Sequence, residues 1–185
     1  MKLLPTLMSG AVLIETDVFS DDRGSFLENY RATPYAELGG GAFVQDNLSR
    51  SRKGVLRGLH FQVRRPQAQL LTVVRGKIFD VVVDLRRHST TFGQWFGAEL
   101  SDEGVRQIYM APGFAHGFCV LSDWADLHYK VTREYDPHDE GGLLWSDQKL
   151  AIAWPLDVPI VSNRDAAFPC LSMLDEGTLP CVSMV

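Results

Sequence analysis

Apolar residues come along this chain in short bursts, alternating or continuous runs rich in β-branched and aromatic side chains, separated by Gly, Pro, Asp and Ser. The clearest are AVLIETDVF (11–19), LLTVVRG (70–76), KIFDVVVDLR (77–86), WFGAEL (95–100), VRQIYM (105–110), HGFCVLS (116–122) and ADLHYKVTR (125–133). Strands this numerous and this evenly spaced predict an all-β domain, a double-sheet sandwich or barrel. In KIFDVVVDLR, Phe79, Val81, Val83 and Leu85 form one apolar face, while Asp80 and Asp84 share the other with Ile78 and Val82. In ADLHYKVTR, Tyr129 shares its parity with Leu127 and Val131, which turns the phenol toward the interior. Helix signals are few. TPYAELGGG (33–41) offers Thr33 as N-cap, Pro34 at the first helical position and glycines to end it, so one or two short helices are expected. The segment after Asp165 carries the weakest pattern, and residues 171–185 are expected to pack loosely.

Length and charge narrow the reading. The 185 residues suit one domain, 1–185, with no repeat, linker or low-complexity segment. A formal net charge of −5, with arginines spread singly, argues against a nucleic-acid surface. Cys119, Cys170 and Cys181 are odd in number and lack metal-site spacing, which suits free thiols in a reducing compartment. The start MKLLPTLMSG lacks the apolar run of a signal peptide, and no stretch is long enough for a membrane span, so a cytoplasmic protein is expected.

The segment GVLRGLHFQ (54–62) places Arg57 and His60 among Val55, Leu56, Leu59 and Phe61. Charged groups are rarely buried without partners, so Arg57 lies at an edge or awaits an anion. His60 and His116 raise a metal site of the kind that double-sheet barrels of the cupin type build from His and Glu on two strands. The spacing argues against one: a first motif of the form HxH with a nearby Glu is replaced by HFQ, and PGFAH adds a single His. Acid–base chemistry without metal fits better. His60 held by a carboxylate would serve as a base, Asp165 in SNRD being one candidate partner, and Tyr129 would supply a phenol. Arg23, Arg57 and Arg164 could each hold phosphate oxygens, and several together would suit a diphosphate.

Seven motifs then fall in one order: FSDDRGSFLE (19–28), FVQDNLSRSRKGVLRGLHFQ (43–62), FDVVVDLRRHSTTFGQW (79–95), APGFAHGFCVLSD (111–123), LHYK (127–130), EGGLLWSD (140–147) and SNRDA (162–166). Together they closely resemble the dTDP-4-dehydrorhamnose 3,5-epimerase family, from about residue 5 to 170. The resemblance implies a cupin-like double-sheet jelly-roll barrel, metal-free and without a cofactor. It implies a homodimer that inverts C3 and C5 of dTDP-4-dehydro-6-deoxy-D-glucose. By the same resemblance His60 is the base, Asp165 orients it, and Tyr129 is the acid on the other face of the sugar. Arg23, Glu28, Gln45, Asn47, Arg57, His116, Glu140 and Arg164 match nucleotide-sugar positions. Phe26 matches an aromatic that stacks on thymine, with 23–28 reaching in from the partner subunit. Arg57 and His60 would point to opposite sides of a regular strand, so Gly58 should mark a bulge or kink.

One position departs from the pattern. Where the family has Gln-x-Lys-Leu, with the lysine near the sugar, this chain has Gln67, Ala68, Gln69 and Leu70. Gln69 can donate a hydrogen bond but carries no charge, and charge-assisted bonds are roughly twice as strong as neutral ones. Arg64 and Arg65 are nearby cations that could substitute, although a surface role suits them better. The departure keeps three alternatives open: inversion at C3 or C5 alone, another nucleotide-linked 4-keto sugar, or a non-catalytic nucleotide-sugar-binding protein.

Overall fold

A computed structural model describes residues 1–104 and 107–182 of the chain. Thirteen strands and two short helices follow in the order β1 (Lys2–Pro5), β2 (Ala11–Glu15), β3 (Val18–Asp21), β4 (Gly24–Leu27), α1 (Ala32–Ala36), β5 (Gln45–Arg52), β6 (Leu56–Gln62), β7 (Gln69–Arg75), β8 (Lys77–Asp84), β9 (Trp95–Ser101), β10 (Gln107–Met110), β11 (Phe114–Val120), β12 (Trp124–Val131), β13 (Glu140–Gly142) and α2 (Asn163–Ala166). Six strands form one sheet in the order β1-β2-β10-β7-β12-β5, and five form a second in the order β13-β6-β11-β8-β9. From β5 to β8 the chain crosses between the sheets at every step, and it does so again from β9 to β13. All pairings within both sheets are antiparallel. This is the double-sheet cupin-like barrel that the sequence implies.

Three apolar clusters explain why the elements settle as they do. Between the sheets, Ile78 and Val82 of β8 meet Leu71 and Val73 of β7, Ile108 of β10 and Leu127 of β12. The other face of β8, Val81 and Val83, packs with Leu59, Phe61 and Leu143 beneath Leu150, Trp154, Leu171, Leu174 and Leu179. Beneath α1, Tyr35 packs with Ile14, Leu70 and Tyr109 on the outside of the six-stranded sheet. Both parities of KIFDVVVDLR are therefore buried, and Asp80 and Asp84 are each 0% exposed. Each fully buried Val, Leu or Ile stabilises the fold by roughly 1.5–3 kcal/mol relative to exposure, so these clusters dominate the energetics.

The structure shifts several expected boundaries. AVLIETDVF divides into β2 and β3, and β3 pairs only with β4, as a separate hairpin. The helix near 33–41 begins earlier than predicted: Arg31 is the N-cap and makes no side-chain cap bond, and Pro34 lies within the first turn. Proline is tolerated there because the first helical N–H groups have no intrahelical acceptor. VRQIYM yields β10 from Gln107 onward, with Val105 and Arg106 outside the described residues. In the tail, Leu171, Leu174 and Leu179 join the outer cluster and the Cys181 N–H donates to the Val63 carbonyl at 2.7 Å, while most of its other described residues are exposed. Residues 183–185 lie outside the described residues.

Candidate active site

A cavity of about 310 Å³ opens between the sheets. Its walls come from Gln45, Asn47 and Ser49 of β5, Arg57 and His60 of β6, Gln69 and Leu71 of β7, His116 of β11 and Tyr129 of β12. β5 (QDNLSRSR) has no apolar alternation because one of its faces lines this cavity and the other is exposed, as Leu48 at 69% shows. That is why hydrophobic patterning misses the strand.

Gly58 brings Arg57 and His60 onto one wall. His60 pairs with His116 and Arg57 with Phe118, so two residues of β6, Gly58 and Leu59, oppose Gly117 alone. This is the bulge the sequence calls for, and it cancels the odd spacing between Arg57 and His60. Gly58 has φ +126°, and a Cβ there would lie 2.5 Å from the Gly117 Cα, so only glycine fits.

His60 meets a carboxylate. His60 Nε2 lies 3.0 Å from Asp165 Oδ1, and the Gly58 N–H donates to Asp165 Oδ2 at 3.1 Å. Asp165 is placed by α2, where the Ser162 hydroxyl caps the helix by accepting from the Asp165 N–H. Burial alone would raise the Asp165 pKa. The bond and charge of His60 and the Gly58 N–H outweigh it and hold the carboxyl well below the usual carboxylate range. An ionised carboxylate only accepts, so His60 Nε2 donates to it, leaving Nδ1 as the ring's free lone pair. Arg164 Nη2 approaches the same Nε2 at 3.2 Å, farther than the carboxylate, and the nitrogen cannot serve both. Phe168 packs edge-on against the His60 ring at 5.7 Å between centroids.

Tyr129 stands on the facing sheet, across the cavity from His60. Burial raises its pKa, Arg57 opposes the rise and Glu140 adds to it, so the phenol keeps its proton at neutral pH. Facing sheets pack roughly 10 Å apart, room for a sugar ring between the imidazole and the phenol. His116 Nε2 lies 2.7 Å from Asp80 Oδ2, a second histidine–carboxylate pair.

The arginines differ in availability. Arg57 donates from Nε to the Ser51 hydroxyl at 2.9 Å and has no carboxylate partner among the described residues. Arg164 is engaged by Glu140 and by Asp165 at 3.3 Å, so its charge is largely offset. Glu140 also accepts from the Tyr135 hydroxyl at 3.1 Å. Arg23, Phe26 and Glu28 do not line the cavity of their own chain: Arg23 pairs with Asp21, Glu28 with Arg31, and Phe26 is 71% exposed on the β3–β4 hairpin. Arg64 and Arg65 do not substitute for the missing lysine, because both line a separate cavity, where Arg64 pairs with Asp139 through its guanidinium and Arg65 donates to it from its backbone N–H. Among the described residues, no cluster of three or more His, Cys, Asp or Glu side chains could hold a metal ion, and no helix is long and apolar enough to cross a membrane.

Sequence reasoning overlooked Tyr135, Gln62, Ser49 and Phe118 as cavity residues and Asp80 as the partner of His116. An available signal was the polar inner parity of β5, where Ser49 follows Gln45 and Asn47 at every second position. Of the buried side-chain polar atoms without a hydrogen-bond partner among the described residues, Ser49 Oγ and Gln67 Oε1 belong to the cavity wall and Asp80 Oδ1 lies behind it.

With this geometry in place, comparison with known proteins is direct. The family model described as dTDP-4-dehydrorhamnose 3,5-epimerase matches residues 5–173. The dTDP-4-dehydrorhamnose 3,5-epimerase of Pseudomonas aeruginosa is 48% identical over 168 residues, 89% of this chain and 93% of that protein. A dTDP-4-dehydrorhamnose 3-epimerase of Streptomyces niveus is 43% identical, over 97% of this chain and 89% of its own. The crystal structure of dTDP-6-deoxy-D-glucose-3,5-epimerase from Legionella pneumophila, in complex with dTDP-4-keto-L-rhamnose, superposes with a TM-score of 0.94 at 45% identity, covering 99% of each chain.

Proposed function

The chain belongs to the dTDP-4-dehydrorhamnose 3,5-epimerase family, and from that premise we propose that it inverts C3 and C5 of dTDP-4-dehydro-6-deoxy-D-glucose to give dTDP-4-dehydro-L-rhamnose. One observation carries the mechanism: an oriented imidazole, His60 on Asp165, and a protonated phenol, Tyr129, stand on facing walls of a single cavity. The C4 ketone acidifies the hydrogens on both neighbouring carbons. His60 Nδ1 takes one of them, and the C–H electron pair passes through the carbonyl to leave an enolate oxygen. Tyr129 then gives its proton to that carbon from the opposite face, and the pair returns as the ketone reforms with inverted configuration. The imidazolium releases its proton to solvent and the phenolate regains one before the next round. Because the ketone is itself the electron sink, the reaction asks for no cofactor.

Arg57, the cavity cation without a carboxylate, receives the diphosphate, with His116 on the same wall, Gln45 and Asn47 on the facing one and Glu140 and Arg164 at the edge. The hairpin β3–β4, with Phe19 at 65% and Phe26 at 71% exposure, is too apolar to stand alone in water. A second copy of the chain covers it, forming a homodimer in which Arg23, Phe26 and Glu28 serve the neighbouring cavity and Phe26 stacks on thymine. Three free cysteines suit a cytoplasmic setting.

A second reading, inversion at one carbon only, is favoured by Gln69, whose neutral amide stands in the cavity, and by similarity to the Streptomyces niveus 3-epimerase. Incubation of dTDP-4-dehydro-6-deoxy-D-glucose in deuterium oxide, followed by NMR, separates the readings. Deuterium at both carbons supports the 3,5-epimerase, deuterium at one supports the second reading, and none at either sinks both. A monomer by sedimentation would overturn the shared site.

A further inference from the structure

We propose that His116 is a second catalytic residue, whose Nδ1–H donates to the C4 oxygen of the bound keto sugar as negative charge collects there, and that Asp80 is the positioning residue that keeps a hydrogen on that nitrogen. This rests on the epimerase reading above. Asp80 is 0% exposed, on the inner face of β8 between Ile78 and Val82. Its Oδ2 meets His116 Nε2 at 2.7 Å, and its Oδ1 has no partner among the described residues.

The pair has three proton arrangements. In the first, Asp80 is ionised and a neutral ring carries its hydrogen on Nε2. A full negative charge then sits in the apolar core on one hydrogen bond, with the second oxygen bare and no cation to offset it, the costliest of the three. In the second, the ring carries both hydrogens and the imidazolium neutralises the carboxylate. In the third, the proton sits on Asp80 and its O–H donates to Nε2, which places the ring's own hydrogen on Nδ1. Both arrangements that avoid an uncompensated buried charge leave Nδ1 protonated. His116 lines the cavity and Asp80 does not, so the Nε2 side of the ring is tied into the core and the remainder faces the ligand.

Asp165 is supported differently, by the Gly58 N–H at 3.1 Å and Arg164 Nε at 3.3 Å in addition to His60. It stays ionised, and His60 keeps a bare Nδ1. The two histidines are register partners across β6 and β11, and directly opposed residues in antiparallel strands have Cα atoms about 4.5–5.5 Å apart. A proton acceptor and a proton donor thus stand side by side, the arrangement that a C–H next to a C=O requires. No charge comes from Gln69, which leaves this donor to stabilise the enolate.

The direct test is the ¹⁵N spectrum of histidine-labelled protein bound to dTDP, with signals assigned from His60→Gln and His116→Gln variants. A protonated Nδ1 at His116 beside an unprotonated Nδ1 at His60 is expected. An unprotonated Nδ1 at His116 overturns the proposal, whatever the enzyme's activity. Kinetics supply the second test. Asp80→Leu, which leaves Nε2 without a donor, should lower kcat for C–H exchange by about 10- to 100-fold with KM and dTDP affinity nearly unchanged, and Gln69→Lys in that background should recover part of it. Loss confined to KM would assign His116 to substrate binding and overturn the catalytic role. If wild-type protein exchanges neither carbon, the epimerase reading fails on its own, while the spectrum still decides the state of His116.

Discussion

The two histidines paired across β6 and β11 use the same ring nitrogen to meet a carboxylate, at 3.0 Å for His60 and 2.7 Å for His116. What differs is the rest of the carboxylate's surroundings. Asp165 sits on a capped helical turn at the cavity edge, with both oxygens engaged by donors from β6 and α2. Asp80 is sealed inside the barrel on a central strand with one oxygen bare. A histidine–carboxylate pair is therefore not one device. The number of donors on the carboxylate decides whether it can remain a lone anion, and through that whether the imidazole faces the ligand as an acceptor or as a donor.

The strongest way to break the comparison is at His60. His60→Asn should remove hydrogen exchange at both C3 and C5, a loss of roughly 10²- to 10⁴-fold, while dTDP binding and the urea midpoint stay near wild type. Deuterium incorporation at the wild-type rate in this variant would return His60 to the role of a core histidine. Tyr129→Phe sharpens the same contrast from the facing wall. Proton removal needs no phenol and delivery to the far face does, so exchange should survive better than epimerisation when both are followed in one NMR time course. Equal collapse of the two would show that the phenol shapes the pocket or holds the enolate instead.

Asp165→Asn tests how the two carboxylates differ in stability as well as in rate. The folded-state pKa of Asp165 is depressed, so its contribution is fully present above the unfolded value of about 3.9 and is lost as pH falls through the folded value. The variant should unfold more easily by about 1–3 kcal/mol at pH 7, because the Gly58 N–H and Arg164 lose a charged acceptor. Denaturant curves should show a gap to wild type that is level between pH 8 and 5 and narrows only in stronger acid. A gap that closes by pH 6 would mean that some other group sets it.

Much of the barrel is written in hydrophobic alternation, and the places where that signal fails have a common cause. β8 is legible because both its faces are apolar, and β12 because Leu127 and Val131 frame Tyr129. β5 is not, since a strand that lines a polar cavity with one face and meets solvent with the other has no apolar parity to show. Of the site, His60, Arg57 and the Gly58 bulge could be argued from nine residues, because a charge beside a histidine in an apolar run demands a reason. Asp165 was nameable only as one candidate among the carboxylates, and Asp80 read as half of a mixed face. Sequence distance carries no information about which strands a barrel brings together, and the resemblance, not the pattern, singled out Asp165. The tail's contacts are hard to read for a related reason: Leu171, Leu174 and Leu179 are spaced for a loop draped over a sheet rather than for a long helix or a strand.

The smallest expected effect concerns Gln69, where the chain leaves the pattern of its family. The residue lies on β7 facing the cavity, and its neighbour across the strand pair, Val131 of β12, faces the same space. A lysine there would bring an ammonium toward the enolate oxygen, and in a water-poor pocket a positioned cation stabilises developing charge more than an amide does. If no other group supplies that charge, Gln69→Lys should raise exchange by about tenfold, the factor that ~1.4 kcal/mol of transition-state stabilisation provides. If the His116 Nδ1–H already donates to that oxygen, a lysine ammonium competes for a site that is already filled and adds little. The gain then falls below about twofold in the wild-type background and appears only when Asp80→Leu has disabled the donor. Separate C3 and C5 exchange rates for the two single variants and the double variant decide between these outcomes. A tenfold gain in both backgrounds would show that the charge was missing from the start and that His116 does not provide it; a gain confined to the Asp80→Leu background would show that the two positions do the same work.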